Sequence, residues 1–211
     1  MNAGTAVNEF RGALANNAER YDAQLSETTM RRLGNYYEQL LAWNSRLHLV
    51  APCSATEFAT RHVLESLLLV PYLRRGARVG DLGSGAGLPI IPNLIARPDI
   101  HATLIESSPK KCVFLSEALN RTETAVQAAV VAARFENLPT PAVDLVTCRA
   151  LDRFSQMLPA IIRWSPAKST LLLFGGERLR EQIESVGLSY SSVTVPESER
   201  RYLFVCRRGR S

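Results

Sequence analysis

From residue 77 onward, short apolar runs of strand length alternate with segments of helical periodicity. The runs at 77–82 (ARVGDL), 101–106 (HATLIE), 124–129 (TAVQAA), 143–148 (VDLVTC) and 169–174 (STLLLF) read as strands, and helices are predicted at 88–96, 109–120, 154–164 and 177–186. Strands that are apolar along nearly their whole length are covered on both faces, and a helix between two of them returns the chain so that they lie parallel. The alternation therefore predicts an α/β fold, a doubly wound Rossmann-like sheet. The ending departs from it. Runs 189–195 (SYSSVTV) and 201–207 (RYLFVCR) are joined only by Pro196-Glu197-Ser198-Glu199-Arg200, too short for a crossover helix, so the last strand is expected antiparallel to its neighbour. The expected sheet has about five or six parallel strands closed by one C-terminal antiparallel hairpin.

Ahead of this alternation the chain reads as helical. Leu33, Tyr37, Leu40, Leu41 and Asn44 recur at helical spacing after Ser26, predicting an amphipathic helix that ends near Trp43. Ser54-Ala55-Thr56-Glu57 has capping-box spacing and opens a second helix through Arg61, His62, Leu64 and Leu68, expected to stop before Pro71. No Gly/Ser-rich linker follows, so residues 1–72 are read as a helical extension packed on a main domain at 73–211. The first 25 residues carry no assigned role. A length of 211 residues suits one sizeable core with an appendage.

The chain lacks ~20 uninterrupted apolar residues and a basic segment followed by an apolar run, so it is expected to be cytosolic, with no membrane partner, and a monomer. Cys53, Cys112, Cys148 and Cys206 are far apart and form no C-x-x-C, so they read as core residues, with no metal site expected. The net charge is +5, and Arg200, Arg201, Arg207, Arg208 and Arg210 crowd the end, which permits an anionic partner.

The sharpest local signal is Gly80-Asp81-Leu82-Gly83-Ser84-Gly85-Ala86-Gly87-Leu88-Pro89, between a predicted strand and a predicted helix. Glycines at 83, 85 and 87 allow a tight turn and close approach to a ligand, with free N–H groups of the helix start facing it. The alternative is a glycine-rich turn with no ligand. Glu106 closes the next strand, 19 residues after Gly87, where a carboxylate accepts from both ribose hydroxyls in a Rossmann-like crevice. The loop reads G-x-G-x-G where dinucleotide folds have G-x-G-x-x-G. With Asp81 just ahead of it, the loop suits the cationic amino-acid part of S-adenosylmethionine better than a pyrophosphate.

Over roughly residues 30 to 207 the chain resembles the bacterial small-subunit (16S) ribosomal RNA guanine-N7 methyltransferases, also called the glucose-inhibited division protein B family. The resemblance rests on Trp43-Asn44, Arg61-His62 with Glu65-Ser66, the Gly83 to Pro89 loop, Arg134-Phe135-Glu136-Asn137 ahead of Asp144, and Cys148-Arg149-Ala150. It implies a class I methyltransferase fold, S-adenosyl-L-methionine as cofactor, and ribosomal RNA or the small ribosomal subunit as partner. It also implies that Gly83 and Leu88 line the methionine side of the cofactor and that Phe135 and Glu136 meet the adenine, while Ser84, Gly85, Gly87 and Glu106 are expected at the cofactor from the loop and strand-end reading above. Arg149 would lie by the cofactor and the incoming guanine as a positioning group; read physically it is an unpaired strand-end cation, with an ion pair to Asp152 or Asp144 as the alternative. Arg61 and His62 are candidates for RNA contact or for a solvated helix face. Attack by the N7 lone pair needs no deprotonation, which fits the lack of an obvious acid–base pair.

Departures from the family pattern bear on the acceptor. The chain reads His48-Leu49-Val50 where Asn-Leu-Thr is usual, Glu65 where Asp is usual, Ile90 where Gly is usual, and Phe174-Gly175 where Lys-Gly is usual. Two other readings accompany the guanine-N7 reading: a methyltransferase of the same fold with another or smaller acceptor, and a non-catalytic RNA-binding relative. A nicotinamide-dependent oxidoreductase is disfavoured by the imperfect glycine fingerprint.

Overall fold

The structure is a computed structural model that describes residues 3–149 and 154–207. Seven strands, β1 (Arg78–Leu82), β2 (His101–Glu106), β3 (Ala128–Ala132), β4 (Leu145–Arg149), β5 (Thr170–Gly175), β6 (Ser189–Thr194) and β7 (Tyr202–Arg207), form one sheet in the order β3-β2-β1-β4-β5-β7-β6. The first five are parallel, and β7 runs antiparallel to both β5 and β6. The doubly wound fold and its antiparallel closure are thus those expected. The third strand is not where the residues suggested: Ala125–Gln127 form a 3-10 turn, and pairing with β2 begins at Ala128.

Alternation along the strands sorts the core into two layers. Val79, Leu104, Leu172, Leu203 and Val205 face one side, while Leu82, Ile105, Val146, Leu171, Phe204 and Cys206 face the other. The second side is covered by α7 (Phe154–Trp164) and α8 (Glu177–Ser185). The first is covered by α5 (Ile90–Ala96), α6 (Pro109–Arg121) and a set of N-terminal helices.

Those helices are α1 (Ala3–Asn17), α2 (Glu27–Leu47), and a continuous run of α3 (Ala55–Phe58), a π-helical turn (Ala59–Leu64) and α4 (Glu65–Leu67). Phe10, Ala13 and Leu14 of α1 sit at helical spacing and are buried, with Phe10 stacked on Tyr37 of α2 at 4.4 Å. Ser26 caps α2 by accepting from the Thr29 amide, and Ser54 caps α3 by accepting from the Glu57 amide. Helix α2 continues past Trp43 because nothing before His48 breaks it; His48 stops it in the left-handed region at φ 47°. The second helix does not remain α-helical throughout, but it ends at Leu67, before Pro71 as expected, and Pro71 lies in a 3-10 turn (Val70–Tyr72).

Trp43 and Asn44 have structural work on α2. The Trp43 indole donates to Glu117 of α6 at 3.1 Å. Asn44 accepts from the Val50 amide at 3.0 Å and donates to the Val50 carbonyl at 3.1 Å, folding residues 48–50 back on the helix end. Three of the four cysteines are buried and Cys53 is half-buried. Among the described residues no helix is long and apolar enough to cross a membrane, and no cluster of His, Cys, Asp and Glu could hold a metal ion. Asn44→Ala should lower the unfolding free energy by about 1–2 kcal/mol, the effect of two lost half-buried hydrogen bonds, measured by urea denaturation.

Candidate functional site

The loop after β1 is built from backbone that turns left-handed three times: φ is +65° at Gly83, +50° at Gly85 and +83° at Gly87. Gly83 and Ser84 donate their amides to the Ile105 carbonyl at 2.9 and 3.2 Å, tying the loop to the end of β2. Tyr36, wholly buried on α2, donates its hydroxyl to the Ala86 carbonyl at 2.6 Å. Glu106 anchors the opposite side. One carboxylate oxygen accepts from the Gly85 amide at 3.0 Å and the other from the Ser108 amide at 2.8 Å.

These groups bound a cavity of about 800 Å³ at the carboxyl ends of β1, β2 and β4. That is the point where strand order reverses about β1, the usual ligand crevice of an open parallel sheet. Gly83, Ser84, Gly85, Leu88, Glu106, Phe135, Glu136, Arg149 and His62 all line it, so most of the residues singled out in the sequence converge on one space. A side chain at Gly85 would point into open space, its nearest neighbour being the Gly83 carbonyl at 3.6 Å.

Two expected residues do not line the cavity. Gly87 is required by packing, since a Cβ there would stand 2.3 Å from Ile91. Arg61 faces outward and pairs with Glu57 one turn earlier. Leu49, Val50, Ala51, Lys111 and Met157 line the cavity without having been singled out. A signal existed for Lys111, which follows the strand-end Glu106 in the first turn of α6, capped by Ser108.

Arg149 is not the unpaired cation its sequence position suggested, nor does it pair with Asp144, which is held by Arg74 at 2.6 Å and by the Arg78 amide at 2.9 Å. Asp152 lies outside the described residues. Arg149 instead reaches the π-helical turn, donating to the Arg61 carbonyl at 2.6 Å and the His62 carbonyl at 3.2 Å, with Glu65 3.5 Å away. No spacing of residues announces this contact, because the wide turn that presents those carbonyls follows no sequence pattern.

Burial, with the charges of Arg149, Arg61 and Arg201, lowers the His62 pKa to about 4, so the imidazole is neutral at pH 7. It is half-buried against Phe58 and is not the solvated helix-face residue that stood as one alternative. Asp81 lies beneath the loop with neither carboxylate oxygen hydrogen-bonded; burial raises its pKa to about 7. The adjacent Ser84 hydroxyl donates to the Asp81 main-chain carbonyl at 3.2 Å.

The sequence model of the family described as rRNA small subunit methyltransferase G matches residues 29–201. A ribosomal RNA small subunit methyltransferase G of Xanthomonas axonopodis pv. citri (strain 306) is 35% identical over 199 residues, 91% of each chain. That of Sorangium cellulosum (strain So ce56) is 35% identical over 165 residues, 75% of this chain and 69% of its own. Among solved structures, a SAM dependent methyltransferase from Aquifex aeolicus aligns with TM-score 0.54 at 15% identity, covering 67% of this chain and 88% of that one. TYW2 of M. jannaschii in complex with AdoMet aligns with TM-score 0.54 at 14% identity, covering 67% and 73%. At these identities the structures speak for the fold.

The buried carboxyl of Asp81 makes stability depend on pH. Its native pKa lies above the unfolded value, so its contribution is complete below about pH 4 and is lost as pH rises through about 7. Asp81→Asn should therefore be more stable than the parent at pH 8 and little changed at pH 4; thermal melts showing the same difference at both pH values would remove the protonated carboxyl. Gly85→Val should abolish binding of S-adenosylhomocysteine in calorimetry while the sheet remains folded, because the branched side chain enters the cavity from a strained backbone.

Proposed function

We propose that this chain, which belongs to the rRNA small subunit methyltransferase G family, transfers a methyl group from S-adenosylmethionine to N7 of a guanine in small-subunit ribosomal RNA. The observation that carries the reading is the single cavity with Gly85 and Glu106 on one wall and Arg149 on the other. The residues present fit S-adenosylmethionine. The cradle at Gly85 is one a Cβ would fill, and the Glu106 oxygen that accepts the Gly85 amide keeps a lone pair for a ribose hydroxyl, while the other accepts from the Ser108 amide and, at 3.5 Å, from the Ser107 hydroxyl. Phe135 is held edge-on to Trp164 at 5.7 Å and presents an apolar wall suited to adenine, with Glu136 beside it. Asp81, buried beneath the loop with neither oxygen hydrogen-bonded, would be drawn toward its ionised form by the cofactor's ammonium group bound nearby.

When bound, the cofactor supplies an electrophilic methyl on a sulfonium. What the chain supplies is alignment. The lone pair at N7 is free at neutral pH, so the protein has only to hold the base in line and exclude water. Arg149 presents a fixed cation at the acceptor wall, where it orients the electron-rich edge of guanine. His62, neutral and beside it, needs no proton exchange to serve as a polar wall. Lys111 and Arg134 line the cavity, and with the exposed Arg61 they offer phosphate contacts around its mouth. Arg208 and Arg210 lie outside the described residues. The ribosomal acceptor supports a cytosolic site of action.

Glu106→Ala should weaken S-adenosylhomocysteine binding by roughly 1.5–3 kcal/mol through loss of a charged acceptor, read by calorimetry. RNA binding should weaken steeply with salt, with a log–log slope of about −0.7 per neutralised phosphate for single-stranded RNA. Arg149→Ala should reduce methyl transfer to unmethylated small-subunit RNA far more than it reduces RNA binding. A flat salt profile with no methyl incorporation would sink the RNA acceptor and favour a smaller one.

A further inference from the structure

Arg149 stands at the acceptor wall, but its own surroundings are unusual for a surface-facing ligand group. Its side chain is only 12% exposed, and its contacts come from two separate parts of the chain. The π-helical turn provides the carbonyls of Arg61 and His62, and Ser66 provides a hydroxyl at 3.3 Å. Phe174, at the end of β5, lies under the guanidinium with its ring centroid 5.6 Å away. Glu65 supplies the countercharge. It is almost wholly buried, with one carboxylate oxygen 2.5 Å from Arg201, just before β7, and the other 3.5 Å from Arg149.

A carboxylate buried between two guanidiniums is a costly arrangement for stability alone, because both charge types lose water. It does fix a plane. Arg201 draws one oxygen outward, and this turns the other toward Arg149. We propose that Glu65 is a positioning residue for Arg149, holding the guanidinium at the angle the acceptor base meets, with Arg201 as the outer half of the clamp. The four remaining contacts, from the Arg61 and His62 carbonyls, the Ser66 hydroxyl and the Phe174 ring, set where Arg149 lies. Among the described residues Glu65 is the acid that faces its charge, and it restrains the guanidinium from swinging toward an incoming phosphate. The inference rests on the methyl-transfer reading for its kinetic consequence, but not for its structural one.

The test uses the full ¹⁵N-labelled chain. The Arg149 guanidinium signals, assigned by their loss in Arg149→Lys, should be resolved and slowly exchanging in the parent. Glu65→Gln keeps the volume and removes the charge; it should broaden those signals and lower kcat 10- to 100-fold, with the Kd for S-adenosylhomocysteine and the KM for unmethylated small-subunit RNA changed less than threefold. Glu65→Asp restores the charge and should recover kcat to within about fivefold of the parent. Should Glu65→Gln fail to fold, Arg201→Gln, at a partly exposed position, should broaden the same signals and lower kcat three- to tenfold. Unbroadened Arg149 signals in the folded variants, or a Glu65→Asp enzyme as slow as Glu65→Gln, would overturn the positioning role. A parent chain with restrained Arg149 signals but no transfer to RNA would overturn the acceptor reading, and the signals of the Glu65 variants would then decide this one.

Discussion

A parallel sheet covered on both faces can meet a ligand only at its rims, and the rim at the carboxyl ends of the strands gathers the loops that leave each strand for its helix. In this chain, that constraint places the Gly83–Gly87 turn, the Glu106 carboxylate and the Arg149 guanidinium within one cavity although they are separated by dozens of residues. The bonds from Gly83 and Ser84 to Ile105, and from Gly85 to Glu106, then make the loop and the end of β2 a single unit. Glu106 thereby has two tasks. It shapes the glycine turn before any ligand arrives, and its remaining lone pairs face the cavity.

The N-terminal helices share the core of the sheet's first face and also close the cavity from that side. Tyr36 holds Ala86, Asn44 folds Val50 toward the cavity, and the π-helical turn supplies both His62 and the carbonyls that receive Arg149. π-Helical turns occur mostly as single bulges within α-helices and are frequent at functional sites; this one leaves the Arg61 and His62 carbonyls open to a side chain from elsewhere in the fold. Here they are aimed at a strand-end arginine. The departures at Glu65 and Phe174 fall on the two sides of that same guanidinium, one as countercharge and one as an aromatic face, so they act on how Arg149 is held.

Most of the fold was legible because period-two and period-3.6 patterns are local, and so was the cofactor side of the cavity, where glycines and a strand-end acid are close in sequence. What escaped was tertiary. The 3-10 turn at Ala125–Gln127 looks like a strand to a pattern reader because Ala and Val are apolar, yet pairing with β2 starts only at Ala128. Helix α1 is hard to see in the sequence because its apolar stripe of Phe10, Ala13 and Leu14 is short. The partners of Arg149 lie more than eighty residues away, and no spacing rule connects them. Gly87 illustrates the opposite error: its motif position suggested a ligand, while its conformation serves the packing of Ile91.

The order of the last two strands has its own consequence. Strand β7 follows β6 in the chain but lies inside it in the sheet, between β5 and β6. During synthesis β6 is therefore made before the strand that joins it to anything, and it has no hydrogen-bonding neighbour until residues 202–207 arrive. Arg201 arrives at the same moment, immediately ahead of β7, and with it the outer charge on Glu65. A growing chain thus holds the glycine loop, Glu106 and the direct partners of Arg149 before the last strand is made, and lacks only the outer charge on Glu65. Completion of the sheet and closure of the Glu65 ion-pair chain become one event.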